Sequence, residues 1–251
     1  MNRIDLNCDM GESWPDKIVG DDPAVMPYIS SANIACGYHG GGGSIMKETI
    51  LLAHKYQVAI GAHPSFNDRE GFGRREYELN YNEIYDLVYK QVCLINAVMH
   101  SLDLTLHHVK PHGALYNMAA KRNDYAEAIV DAVKTIDERL ILYGLAGSEL
   151  IQVAAKRGLK TCSEVFADRR YLDDGSLTPR SMNGAVIEDI EESIQQVLSM
   201  IQKGRVRSIT GEWVPIKAET ICIHGDHKEA AEFARTLKEI LSAEGYTIQS
   251  Y

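Results

Sequence analysis

The chain has 251 residues, 45% hydrophobic and 24% charged, a globular composition that excludes a disordered or collagen-like protein and suffices for a full core. Its 26 Lys and Arg against 35 Asp and Glu leave a net charge of −9, which disfavours nucleic acid, because a phosphate backbone needs a compensating basic surface. No run approaches the roughly eighteen apolar residues of a membrane span, and Met1 to Leu6 enters a strand-like run without an apolar signal region, so a cytoplasmic protein with no membrane partner is expected.

In chain order, Ile4 to Cys8 reads as a first strand. The polar connection Met10 to Ser30 follows, punctuated by Pro15, Pro23 and Pro27, and reads as an excursion covering one end of the fold. A second strand, Ser31 to Cys36, leads through Gly40 to Gly43 into a helix from Ser44 to Tyr56. Then come a strand Val58 to Ala62, a helix Tyr81 to Ser101, a strand Leu104 to Val109, and a helix Asp124 to Ile136. A strand Leu140 to Leu145, a helix Ser148 to Arg157 and a strand Lys160 to Ala167 continue the alternation. In the helix Ile187 to Lys203, Ile190, Ile194, Val197 and Leu198 share one face. The strand Glu219 to Ile223 and the helix Lys228 to Ala243 complete the series.

Near-continuous apolar strands alternating with amphipathic helices specify a parallel sheet buried on both faces. The alternation leaves an open doubly wound sheet or a closed barrel; seven strands at about 36 residues per unit, with no Pro/Gly/Ser linker, favour the closed form, one domain over residues 1–251 as a TIM-like parallel (β/α)7 barrel. The five cysteines are odd in number and widely spaced, so neither a disulfide framework nor a thiolate zinc site is expected, and they read as core residues.

In parallel α/β folds the active site lies beyond the carboxyl ends of the strands. Here those ends carry Asp9 with nearby Glu12, Tyr38-His39, His63, Lys110-Pro111-His112, Asp168-Arg169-Arg170 and His224-Gly225-Asp226-His227. One His beside a strand is ordinarily structural, but convergence of His and Asp on one mouth points to function, since buried polar groups cost desolvation energy. At most one of His107 and His108 can face the barrel, and these two, with His54 and His100 on helices, read as structural. Gly40 to Gly43 offers backbone N–H groups for a carboxylate or phosphate, or a flexible turn, but matches no nucleotide-binding motif. Arg69, Arg74, Arg75 and Arg180 are candidate clamps for a small anion.

The segments Asp5-Leu6-Asn7-Cys8-Asp9-Met10-Gly11-Glu12, Ala32 to Gly41, Gly61-Ala62-His63-Pro64-Ser65, Val109 to Tyr116 and Glu164 to Arg169 closely resemble the LamB/YcsF family, and the resemblance runs from about Asp5 to His227. It implies a seven-stranded barrel related to the glycoside hydrolase and polysaccharide-deacetylase fold. It also implies an ATP-dependent 5-oxoprolinase reaction, 5-oxoproline plus ATP and water giving glutamate, ADP and phosphate, carried out with partner subunits B and C, which would handle the ATP.

Chemistry assigns the roles. Ring opening of a lactam needs an activated carbonyl, a positioned water and oxyanion stabilisation. Asp9, His39, His63, Lys110 and His112 are the candidate catalytic residues, with Asp9 or His63 as base and Lys110 and His112 as electrostatic donors. Glu12, Gly41, Gly42, Arg69, Asp168, Arg169, His224 and Asp226 are the candidate substrate-binding residues. An alternative set, Asp9, His39 and His63, suits a divalent metal, as the Asp-His-His set does in the fold-related deacetylases. The competing functions are a metal-dependent deacetylase or amidohydrolase acting alone, and a non-catalytic subunit that binds a small acid.

Overall fold

The first strand shows how the barrel is filled. In β1 (Asn2–Met10), Ile4, Leu6, Cys8 and Met10 alternate with Asp5, Asn7 and Asp9, and both sets are buried except for Asp9, which is partly exposed at the mouth, because successive strand residues point to opposite faces and both faces are covered. The apolar set packs into the core shared with the helices. The polar set joins a hydrogen-bonded network between strands.

A computed structural model describes residues 2–225 and 229–251. After β1 come a short helix α1 (Asp22–Val25), β2 (Ser31–Ala35), α2 (Gly43–Lys55), β3 (Ala59–His63) and α3 (Tyr81–Ser101). Next are β4 (His108–Val109), α4 (Gly113–Ala119), α5 (Asn123–Ile136), β5 (Ile141–Leu145), α6 (Glu149–Lys156), β6 (Lys160–Phe166) and α7 (Ile190–Lys203). The remainder is β7 (Arg205–Arg207), β8 (Trp213–Pro215), β9 (Thr220–Ile223), α8 (Ala230–Ala243) and β10 (Tyr246–Ile248).

Strands β1, β2, β3, β4, β5, β6 and β9 pair in parallel in that order, and β1 pairs again with β9 through Cys8 and Ile223, closing a seven-stranded barrel. All seven expected strands and six expected helices are present, with ends shifted by a few residues. The caps show why the helices start where they do: Asn80 and Glu83 form reciprocal bonds at the start of α3, and Asp189 accepts from the Glu192 N–H at the start of α7. Among the described residues no helix is long and apolar enough to cross a membrane.

Three features depart from expectation. The helix α4 spans only seven residues, too few to show a period. The antiparallel pair β7–β8 and the strand β10, which pairs with Asn2 to Ile4 of β1, are three residues each. The Met10 to Ser30 connection, read as an excursion, carries the short helix α1 and is seated on the body: Val25, Met26 and Ile29 are buried, and Lys238 of α8 donates to the Pro27 carbonyl at 2.9 Å.

Candidate active site

Within the barrel a polar column rises from Asp5. Its Oδ1 accepts from Ser30 and Ser31, and its Oδ2 from Thr220 at 2.6 Å. Asn7 Nδ2 also donates to Thr220, and Asn33 Nδ2 donates both to Asn7 Oδ1 at 2.8 Å and to Asp9 Oδ1 at 2.9 Å. His108 is the member of the His107–His108 pair that faces inward, with Nε2 2.8 Å from Asn33 Oδ1 and its ring stacked on Tyr143. Each side chain of this column thereby has a partner, the condition for tolerating it in a low-dielectric interior.

Lys110 crowns the column. Its Nζ, almost wholly buried, lies 2.9 Å from Asp9 Oδ1, 2.8 Å from Glu164 Oε1, 3.1 Å from Asn7 Oδ1 and 3.2 Å from Cys222 Sγ. Burial alone would lower the Lys110 pKa, but the charges of Asp9 and Glu164 raise it well above the ordinary value. For Asp9 the opposite holds: burial would raise its pKa, and His63 and Lys110 outweigh that and hold the carboxyl well below its usual range.

The end of β3 and the loops after β2 and β4 bring three imidazoles together. His63 Nε2 lies 3.2 Å from Asp9 Oδ2 and 2.9 Å from His112 Nδ1. His39 stacks on His112 with ring centroids 3.8 Å apart, and its Nε2 lies 3.0 Å from Glu12 Oε1. Burial pushes the pKa of His39 and His112 well below the ordinary histidine value, and neighbouring imidazoles add to the shift. Glu12, His39, His63 and His112 are all buried and offer donor atoms within 4.8 Å of one another, a cluster able to hold a metal ion.

A cavity of about 600 Å³ opens over this floor. Asp9, Glu12, His63, Lys110 and His112 line it together with Phe72, Tyr116, Phe166, Arg74, Arg169, Arg180 and His224. Arg180 Nη2 lies 2.8 Å from His224 Nε2, and an arginine only donates, so His224 carries its hydrogen on Nδ1, which faces both oxygens of Asp168. Arg169 is fixed by the Thr178 and Ala185 carbonyls, and burial, with the charge of Arg180, lowers its pKa to about 10.

Some expected residues are used otherwise. Gly41, Gly42 and Arg69 are absent from the cavity lining: Arg69 Nη2 donates to the Gly37 and Gly41 carbonyls, and the Gly41 N–H donates to Ser13. Arg69 therefore holds the glycine loop through two of its carbonyls, and the Gly41 N–H is committed to Ser13. Asp168 orients His224 without lining the cavity. The donor set around the imidazoles gains Glu12 and His112, while Asp9 is engaged by Lys110 and Asn33. Asp226 and its neighbour His227 lie outside the described residues. Asn33 and Glu164 were not expected at the site; their signal was their inward register on β2 and β6.

Gly41 is needed for the backbone it permits. Its φ is +63°, and a Cβ there would stand 2.1 Å from the Gly11 carbonyl oxygen. Gly41→Ala is expected to cost about 3 kcal/mol, lowering Tm by roughly 10 °C in a thermal melt. An unchanged Tm would remove this explanation.

Comparison with known proteins places these features in context. The LamB/YcsF family matches residues 4–251. The chain is 50% identical over 250 residues to the A-subunit of 5-oxoprolinase from Tolumonas auensis, covering 100% of both chains. It superimposes on the crystal structure of a lactam utilization protein from Thermus thermophilus with a TM-score of 0.93 and 42% identity, covering 99% of this chain and 100% of that one. The catalytic domain of a peptidoglycan N-acetylglucosamine deacetylase from Eubacterium rectale shares the fold alone, at a TM-score of 0.52 and 13% identity, over 100% of this chain and 88% of that one.

Proposed function

The chain belongs to the LamB/YcsF family, and from that premise we propose that it is a subunit of an ATP-dependent 5-oxoprolinase, opening 5-oxo-L-proline to L-glutamate with formation of ADP and phosphate. The observation that carries this is the 50% identity, over both full lengths, to a protein named as the A-subunit of 5-oxoprolinase.

The site chemistry agrees with that reading. A lactam is a poor electrophile, so ATP-driven phosphorylation of its oxygen on partner subunits B and C supplies the activation, and this chain receives the activated ring. Asp9, ionised and anchored through Oδ1 by Lys110 and Asn33, takes a proton from water as the water oxygen bonds to the ring carbonyl carbon. The C–N bond then breaks and the proton passes to the ring nitrogen. A second water hydrolyses the resulting acyl phosphate to glutamate and phosphate. Lys110 is a positioning residue here, since its ammonium is shared between Asp9 and Glu164. His112 has its Nε2 committed to the Phe72 carbonyl and its Nδ1 facing His63 Nε2, so it contributes through the cluster rather than as a free donor. Arg74, Arg169 and Arg180 give the cavity the positive charge that a carboxylate and a phosphoryl group call for.

The Glu12–His cluster also supports a second reading, an amidohydrolase that uses a metal and acts alone. Product analysis separates the two. The isolated chain is expected to form no glutamate from 5-oxoproline, with or without ATP, and addition of the partner subunits is expected to start glutamate formation coupled to ADP release. Steady glutamate formation by the isolated chain without ATP would decide for the second reading.

A further inference from the structure

The contact between His63 and His112 has a chemical requirement of its own. His63 Nδ1 lies 2.7 Å from the Lys110 carbonyl oxygen, and His112 Nε2 lies 2.9 Å from that of Phe72. A carbonyl oxygen only accepts, so each of these outer nitrogens carries the ring hydrogen. In its neutral form each ring then presents a lone pair at its inner nitrogen, and those two nitrogens, His63 Nε2 and His112 Nδ1, are 2.9 Å apart. Facing lone pairs at that distance repel unless a positive centre is shared between them.

Carboxylate oxygens stand beside the same point. Glu12 Oε1 is 3.4 Å from His112 Nδ1, and Asp9 Oδ2 is 3.2 Å from His63 Nε2. A tetrahedral ion with bonds of about 2.0 Å has donors about 3.3 Å apart. The separations along this chain of donors, 2.9 to 3.4 Å, are of that size. The two backbone carbonyls that fix the tautomers are the kind of outer support that metal-bound histidines need.

We propose that Glu12 Oε1, His63 Nε2 and His112 Nδ1 bind a divalent cation of the zinc class, with Asp9 Oδ2 beside the remaining coordination position and His39 outside the coordination sphere. Two observations exclude His39 from the ligands. Its ring is within 4° of parallel to His112 at 3.8 Å, so an ion in the plane of His112 lies far from the plane that holds the lone pairs of His39. Its Nδ1 is buried with no hydrogen-bond partner among the described residues, so ligation through Nε2 would strand an N–H there, whereas an Nε2–H donates to Glu12. His39 is thus a positioning residue for the Glu12 carboxylate. When bound, the ion supplies Lewis-acid polarisation of water or carbonyl beside Asp9.

The inference concerns the site of the proposed function, and its test reads metal rather than turnover, so either can fail without the other. The full chain, purified without a histidine tag or chelator, is expected to carry about one zinc-class ion by elemental analysis. After stripping, it is expected to bind Co²⁺ with visible ligand-field bands. Glu12→Gln and His112→Ala are each expected to weaken Co²⁺ binding at least about tenfold and alter the bands, with far-UV circular dichroism unchanged. His39→Phe, which keeps the stacked ring and loses the nitrogens, is expected to retain the bands. No Co²⁺ uptake by the wild-type chain overturns the proposal and leaves a shared proton between the imidazoles. Equal uptake with unchanged bands in Glu12→Gln overturns it too, as does loss of the bands in His39→Phe.

Discussion

Replacing Asp9 by Asn is expected to lower turnover of the reconstituted complex by about a thousandfold, within the usual span for loss of a positioned acid–base group. The substitution keeps an oxygen able to accept from Asn33 Nδ2 and Lys110 Nζ, so the polar column beneath it persists. What it removes is the basic oxygen, Oδ2, which lies 3.2 Å from His63 Nε2 and belongs to a residue lining the cavity. The loss should therefore appear in kcat, with KM for 5-oxoproline little changed, because the groups assigned to anion binding are Arg74, Arg169 and Arg180. Steady-state kinetics on the complex, with circular dichroism as the folding control, is the measurement. Near wild-type kcat in a folded variant would return the base to another group.

Much of this site was legible in the strand ends. In a parallel barrel every strand delivers its last residues to one mouth, so finding Asp9, His63, Lys110 and His224 at or just past strand ends was enough to group them. The alternation Asp5, Asn7, Asp9 also carried the inward register of β1, since only one face of a strand could contain all three. Glu164 was harder, because an acid in a strand that also holds Lys160, Thr161 and Ser163 resembles a solvent-facing residue; only closure of the barrel sets β6 opposite Lys110. Glu12 was read as near the mouth, beside Asp9, but its position against the imidazoles was not legible. The chain turns at Gly11, with φ +66° and its N–H held by Asp22 Oδ2 at 2.7 Å, and that turn carries Glu12 onto His39 and His112. Turn geometry of this kind depends on the distant Asp22, which strand periodicity does not report. Arg69 illustrates the converse: its charge suggested a ligand, but the nearest acceptors after folding are carbonyls of its own chain.

The largest effect on stability is expected at Lys110. Its side chain is the cation between two carboxylates, Asp9 at 2.9 Å, which is largely buried, and Glu164 at 2.8 Å, which is fully buried. Lys110→Met keeps much of the aliphatic stem but leaves both acids without their shared counter-charge, and breaking a buried pair from one side costs about 3–5 kcal/mol. Urea denaturation at neutral pH should show a loss of that size, with the m-value unchanged if the native barrel is retained. A second substitution discriminates charge from packing. If the cost arises from unpaired carboxylates, Lys110→Met combined with Glu164→Gln should recover a substantial part of it, because the amide needs no counter-ion. If the cost arises from lost packing around the lysine stem, the two changes should add, and recovery should be absent. Additive behaviour in that cycle would reject the electrostatic role assigned to Lys110, and with it the account of how Asp9 is kept ionised beneath the cavity.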